Sequence, residues 1–392
     1  MSESILIVGG GIAGLGALRA LRNRGRSAVL VERSDDWRPD GTGLYLPGNG
    51  VAALCRLGLE DRSRCVPIET RRAYREGGHF MFEVPVARAW GADQPCFAFH
   101  RHDLHDLLRS GLDDADVRLG TSVETFEQVA DKIRVRFTDG TQKDFDLVIG
   151  ADGLHSSVRK HVLGDVPLRR VRPRVARFTT DRGADQDAWS LYVGRRGIAL
   201  QIPVRDDTVY WYIERRAKDV EALSDHEFLD PLRQLGRPVA AAIDAVEPGA
   251  IHWSPVDEVP PLPTWGRGRM VLIGDAAHAM APFTAQGGSL ALEDGLVLAR
   301  VLGEGEWATA AERLTSARSH RVGSARAANH GREKKGALPY VLQRWVFPFI
   351  GPKALTADYA PLRVPLDDCQ HADVIQNRYG NASLSPKQLH LE

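Results

Sequence analysis

Four apolar residues, Ile5, Leu6, Ile7 and Val8, run straight into Gly9, and Gly11 and Gly14 complete a GxGxxG spacing just before the helical stretch 15–21. This succession constrains the chain more than any other, because a buried strand, a glycine turn and a helix in that order form the phosphate-binding corner of a Rossmann unit. Gly9 serves the tight turn, Gly11 lets backbone approach a pyrophosphate, and Gly14 permits close packing of helix on strand; Ala13 lies in the same turn. Glu32 follows the apolar run 28–31, where a carboxylate can accept hydrogen bonds from ribose hydroxyls. The sequence therefore predicts an α/β fold that opens with a dinucleotide-binding domain.

Residues 271–294, VLIGDAAHAMAPFTAQGGSLALED, give a second signal. Val271, Leu272 and Ile273 read as a strand buried on both faces, Gly274 ends it, and Asp275 falls at the carboxyl edge, where open α/β sheets bind ligands. After a loop through Pro282, Gly287 and Gly288 open a helix carrying Leu290, Leu292, Val297, Leu298, Val301 and Leu302. Its first N–H groups and positive dipole end face whatever occupies the loop.

These stretches carry a family resemblance. Beside the Gly9–Gly14 turn and Glu32, the run Gly150-Ala151-Asp152-Gly153-Leu154-His155-Ser156-Ser157-Val158-Arg159 resembles the DG motif of the flavoprotein aromatic hydroxylases, and Gly274-Asp275-Ala276-Ala277-His278 resembles their GD motif. That group includes para-hydroxybenzoate and salicylate hydroxylases. The resemblance is good over residues 1–165 and 265–300, looser between them and faint after 335. It implies a bound FAD, NADPH or NADH as electron donor, and hydroxylation of an aromatic or polycyclic small molecule through a flavin C4a-hydroperoxide.

Position by position, the resemblance implies that Glu32 holds the adenosine ribose, that Arg33 flanks the adenine end, that Arg101 reaches FAD and that the Val123 backbone touches the adenine. Asp152 belongs to a segment that supports FAD and the nicotinamide donor, Asp275 meets a ribityl hydroxyl, and Pro282 with the backbone of Gly287, Gly288 and Ser289 lines the flavin ring. Preorganised N–H donors there would stabilise the charge of reduced flavin. His278 is expected to support the turn rather than to react. The alternative readings are an FAD-linked epoxidase, reductase or dehydrogenase on the same scaffold, or a flavin-binding protein without catalysis.

The chain departs from the family's PxxGQGxN pattern, with Ala285 in place of the first glycine and Ser289 in place of asparagine. An alanine at positive φ would cost roughly 1–2 kcal/mol, so Ala285 is expected to sit in ordinary backbone. Ser289 keeps a small polar group of shorter reach.

The 51 basic and 51 acidic residues cancel, and no long basic block supplies a stripe for nucleic acid. Cys55, Cys65, Cys96 and Cys369 lack CxxC or metal-ligand spacing, which predicts free thiols in a reduced, cytoplasmic chain. His100, His102 and His105 cluster, but no cysteine or acidic group completes a metal site, so none is expected. No GxSxG elbow offers a serine nucleophile. No signal peptide precedes the first strand, and no apolar run approaches the ~18–20 residues of a membrane span.

At 392 residues the chain exceeds the ~250–300 at which single cores stop growing. The motif positions make the first domain discontinuous: residues 1–70, 95–165 and 265–335 form the Rossmann-type FAD-binding domain. Residues 71–94 and 166–264 form an inserted, mostly antiparallel β-sheet substrate domain, and 336–392 a C-terminal helical region and tail. A hairpin is expected around Asp139-Gly140, its second strand spanning 142–149, and four strands in 171–215. A polar helix is expected over 221–235, with a proline-rich return over 255–263.

The inserted sheet should roof the flavin, with Tyr210 and Tyr212 on one face, Trp211 on the other and Tyr192 in a neighbouring strand. Which face looks down is open. Tyr192, Tyr210, Tyr212 and Tyr45, the last in the loop Gly41-Thr42-Gly43-Leu44-Tyr45, are the candidates for assisting phenol ionisation, and Pro282 joins them beside the ring. His252 is read as structural. The apolar segment 338–355, interrupted by Pro339, Pro348 and Pro352, is expected to pack under the flavin domain or close the pocket; a peripheral membrane contact or a homodimer surface stays open. A loosely held tail follows residue 366.

Overall fold

The structure, a computed structural model, describes residues 4–37, 42–183, 186–336, 338 and 340–366. Gly41, Pro339, Cys369 and the tail from 367 lie outside the described residues. The strands Ile5–Val8, Val29–Val31, Leu147–Gly150 and Met270–Leu272 are short, wholly apolar or nearly so, and buried on both faces, as parallel strands covered by helices must be. They form the middle of a six-stranded sheet, flanked by Asp116–Arg118 and Gly266–Arg267. Ile5–Val8 sits between Val29–Val31 and Leu147–Gly150, in parallel register with both. Strand order reverses there, so Gly9, Ala151 and Gly274 meet at one carboxyl edge, the usual ligand crevice of such sheets.

The expected second hairpin strand is two strands. Gln142–Phe145 pairs with Lys132–Phe137 across the Asp139-Gly140 turn, and Leu147–Gly150 leaves to pair with Ile5–Val8. Asp146 makes the break: its carboxylate accepts from Ser4 N at 2.8 Å and Lys132 Nζ at 2.7 Å, which fixes the chain between two sheets.

The inserted sheet has seven strands in the order His252–Glu258, Arg169–Asp181, Thr208–Arg215, Gly197–Pro203, Trp189–Val193, Thr70–Arg75 and His79–Pro85. All its pairs are antiparallel except Trp189–Val193 with Thr70–Arg75. The proline-rich return begins inside this sheet, and Pro255 is tolerated because its strand is an edge. In place of one helix over 221–235 there are two short pieces. Ser224 and Glu227 form a capping box for Asp225–Leu229, and Pro231 turns the continuation into a 3-10 segment, Asp230–Leu235. With Arg237–Ala245 these cover the outer face of the sheet and bury Trp211, Tyr192 and Phe228.

Two long helices complete the described chain. Ala310–Gly336 packs on Gly287–Glu304. Tyr340–Ala357 runs unbroken through Pro348 and Pro352, contrary to the expected interruption; the two prolines, four apart, place their missing donors on one side of the helix. Among the described residues no helix is long and apolar enough to cross a membrane.

Candidate flavin and substrate site

The floor of the site is glycine backbone packed as tightly as backbone allows. Gly9 has φ +107°, and a Cβ there would lie 2.5 Å from the Ala151 carbonyl oxygen. A Cβ on Gly14 would lie 1.9 Å from the Gly9 carbonyl oxygen, so the helix Ile12–Arg22 rests directly on the turn. Gly11 is the opposite case: a Cβ there would meet nothing within 4 Å, which leaves its backbone open to a ligand at the helix N-terminus. Glu32 accepts from Gly10 N at 2.7 Å and from Ser34 N at 3.0 Å, which holds its carboxylate against the phosphate turn. Arg33 is exposed beyond it. Val123 begins the strand Val123–Val129 and is half-buried; Thr121 N donates to the Glu32 carbonyl at 2.9 Å, so that segment runs beside the turn.

His105 fixes the same turn from the other side. Its Nε2 lies 2.8 Å from the Gly10 carbonyl oxygen, so that nitrogen carries the proton and donates. Burial lowers its pKa from the ordinary 6.5, partly offset by the Gly10 bond, so the unfolded chain binds the extra proton first. Stability from this group is present above about pH 6.5 and is lost as pH falls below it. His105→Gln keeps a donor to Gly10 without the titration. Its melting temperature is expected to fall less than that of the parent between about pH 7.5 and about pH 5.5, and equal falls would refute the assignment.

The DG and GD segments use their carboxylates differently. Asp152 is consumed locally, accepting from Ser156 Oγ at 2.5 Å, Ser157 N at 2.7 Å, Ser157 Oγ at 2.9 Å and Val158 N at 3.2 Å at the start of Ser157–Leu163. Asp275 follows Gly274 (φ +57°) and lines a cavity of about 530 Å³. It is exposed to that cavity, deep in the protein, and burial pushes its pKa up against the smaller opposing pull of His278 and Arg101. Pro282, Gly287, Gly288 and Arg101 line the same space, whereas Ser289 is buried against Gly50, away from it.

Ala285 does adopt the left-handed conformation, φ +53° and ψ +38°, correcting the expectation of ordinary backbone. Side chains from distant segments hold the loop there. Asn329 Oδ1 accepts from Thr284 N at 3.0 Å, Tyr359 OH donates to the Thr284 carbonyl at 3.2 Å, and Arg332 Nη1 donates to the Phe283 carbonyl at 2.5 Å. Ala285→Gly removes about 1–2 kcal/mol of strain and adds about 0.4–1 kcal/mol of unfolded-state entropy. A small rise in the urea midpoint is therefore expected, and a fall would show that the loop carries no strain.

Behind the floor lies a buried ionic cluster that sequence reasoning missed. Asp294 accepts from Gly274 N at 2.9 Å and Arg318 Nε at 2.8 Å and pairs with His278 Nε2 at 2.6 Å. Glu293 pairs with Arg318 and Arg321, each at 2.8 Å, and accepts from Asn49 at 3.0 Å. Burial pushes both carboxylates up, but the surrounding cations outweigh it and hold them below their ordinary values. A Glu-Asp pair inside an apolar helical run was the available signal, since such residues are rarely buried unless paired.

The inner face of the roof is set by strand register. Tyr210 pairs with Ile202, Tyr212 with Leu200 and Glu214 with Ile198, and Leu191 and Val193 continue the apolar surface. Tyr45 reaches the cavity from Gly43–Leu46. Burial raises the pKa of Tyr45, Tyr210 and Tyr212, so each is a neutral phenol near pH 7. Tyr192 does not join them. Its partner Ala199 lies on the outer face with Trp211; Tyr192 stacks on Tyr74 at 4.9 Å and its hydroxyl meets Gln201 Oε1 at 3.2 Å. His252 is exposed at the sheet edge, outside the cavity lining. Among the described residues no cluster of three or more metal-ligating side chains occurs. The terminal helix closes the cavity with Phe347, Ile350, Gly351, Ala354 and Leu355.

A parallel sheet with a glycine phosphate turn, a carboxylate opening onto the floor and a second sheet overhead define a flavin-dependent oxidoreductase. A family model described as FAD binding domain matches residues 2–330, and the chain belongs to the FAD-dependent aromatic hydroxylases, enzymes that use NAD(P)H and dioxygen. It is 34% identical over 313 residues to 2-heptyl-3-hydroxy-4(1H)-quinolone synthase of Pseudomonas aeruginosa, over 76% of this chain and 80% of that one. To salicylate hydroxylase of Pseudomonas putida it is 31% identical over 340 residues, 76% of each. Klebsiella pneumoniae HpxO, crystallised with FAD and uric acid, shares the fold, with TM-score 0.83 and 24% identity over 93% of this chain and 98% of that one.

Proposed function

We propose that this FAD-dependent monooxygenase hydroxylates a planar aromatic that presents an N–H or O–H donor to the roof. The observation that carries the reading is a single cavity lined at one end by Gly11 and Gly153, along its floor by Asp275, Gly287 and Gly288, and overhead by Tyr210, Tyr212, Glu214 and apolar residues. The residues present fit FAD. Gly11 and the first turn of Ile12–Arg22, with Ala13, take the pyrophosphate, Glu32 the ribose, and Arg33 with the Val123 backbone the adenine end. Asp275 takes a ribityl hydroxyl, Arg101 reaches the cofactor across the cavity, and Pro282 with the amides of Gly287 and Gly288 meets the ring. Asp152 acts through the helix it caps, by setting Gly153 against the nucleotide. Bound FAD supplies reduction by NADPH or NADH and the activation of dioxygen.

The roof supplies orientation and exclusion of water. Neutral Tyr45, Tyr210 and Tyr212 serve as hydrogen-bonding groups rather than bases, because burial disfavours their phenolates. The Tyr212 hydroxyl and Glu214 Oε2 are buried without a partner, while Arg172 holds the other Glu214 oxygen. A donor on the substrate would satisfy them. The quinolone, salicylate and hydroxynicotinate in the names of these relatives all fit this description. None of Cys55, Cys65 and Cys96 forms a disulfide, which supports action in the reducing cytoplasm.

The test is turnover under heavy-isotope oxygen gas with NADPH or NADH and a panel of hydroxylated and N–H aromatics. Label in the product supports the reading; NAD(P)H consumption that yields only peroxide with every compound refutes it. For the ligand that couples, Glu214→Gln is expected to weaken binding about tenfold or more, the scale of a hydrogen bond to a charged group. An unchanged affinity would remove Glu214 from the site.

A further inference from the structure

The terminal helix Tyr340–Ala357 is apolar on two opposite sides. Phe347, Ile350, Gly351, Ala354 and Leu355 line the cavity. Val341, Leu342, Trp345 and Phe349 lie on the reverse side by helical spacing, and they are exposed, Phe349 by 76% and Leu342 by 51%. Phe80, on the strand packed against this helix, is also exposed, by 58%. A helix apolar all round is normally buried all round, whereas this one is half-buried on its cavity side and exposed on the other.

The charge around the patch indicates what covers it. From 334 to 357 there is no acidic residue and there are four basic ones, Lys334, Lys335, Arg344 and Lys353, in a chain whose 51 bases and 51 acids cancel as a whole. Exposed Lys334 and Lys353 bracket the helix, and Arg195, with its guanidinium 5.8 Å from the Tyr340 ring, adds a cation beside its start. A two-fold contact between copies would press two such positive segments together. Exposed aromatic and branched apolar side chains on a segment of net positive charge, with exposed Lys334, Lys353 and Arg195 near it, instead match an anionic bilayer surface, into which such a helix settles in the interfacial plane.

We propose that the protein docks peripherally on anionic lipid through the outer side of Tyr340–Ala357, without spanning it. The helix then has lipid on one side and the cavity on the other. An apolar aromatic dissolved in the bilayer has a single helix to pass before it reaches the roof, a route that rests on the function proposed above. The docking itself does not, so its test needs no turnover.

The FAD-loaded full chain is floated with phosphatidylcholine vesicles with and without phosphatidylglycerol. Flotation is expected with the anionic vesicles, diminishing as salt is raised, and at least about tenfold less for Leu342→Glu/Phe349→Glu. Unchanged FAD content shows that this variant is folded, and Val341→Gln serves as a milder change should it lose flavin. A chain that stays unbound with anionic vesicles, or a folded variant that floats like the parent, overturns the proposal. So does a dimer in sedimentation velocity that the same variant dissociates, because a second copy would then cover the face. Loss of oxygenation with intact flotation would overturn only the function.

Discussion

Replacing Arg318 by methionine is expected to destabilise the protein by roughly 3–5 kcal/mol, the scale for removing one partner of a buried ion pair. Arg318 is fully buried, and its guanidinium meets Asp294 and Glu293, which are equally buried. Methionine fills similar volume, so lost packing contributes little and the uncompensated carboxylates dominate. Arg321 still offsets Glu293, and His278 remains for Asp294. Asp294 also accepts from Gly274 N, so its rearrangement would move the residue before Asp275 and release flavin as well. Urea unfolding and the flavin absorbance of the purified protein measure the two effects. A loss below about 1 kcal/mol would be that of an exposed pair and would contradict this description of the cluster.

Gly14→Val and Gly11→Ala should separate fold from cofactor. At Gly14 the obstruction is the Gly9 carbonyl, 1.9 Å from the new Cβ, with Ile7 Cγ2 at 3.3 Å. A carbonyl in a tight turn cannot swing aside as a side-chain tip can. The helix must therefore back away, at about 1–3 kcal/mol or more for overpacking, and the amides proposed to face the pyrophosphate move with it. Both stability and FAD affinity are expected to fall, the latter at least about tenfold. At Gly11 the new methyl meets no protein atom within 4 Å and projects where the pyrophosphate would lie. That variant should unfold at or slightly above the parent's urea midpoint yet bind FAD at least about tenfold more weakly. Normal FAD affinity in Gly11→Ala would place the phosphates elsewhere.

The floor was legible in the sequence because strand, turn and helix are contiguous there and each glycine has a local steric reason. The roof was legible only as strands. Period-two alternation separated Tyr210 and Tyr212 from Trp211 correctly, but it says nothing about the register between strands, and register put Tyr192 with Trp211. The ionic cluster and the braces on the Pro282–Thr284 turn join residues far apart in the chain; Tyr359 and Thr284 are an example. Neither belongs to a local pattern. Ala285 was misread for a related reason: local propensity argued against positive φ, and three long-range hydrogen bonds decided otherwise.

The order of strands in the parallel sheet also bears on how the enzyme is made. Ile5–Val8 leaves the ribosome long before one of its neighbours, Leu147–Gly150, which in turn waits for Met270–Leu272. Asp294, which ties down Gly274, comes later still. Ile5–Val8 must therefore stay available until residues up to Asp294 have been made, and pairing over such separations is slow and prone to aggregation.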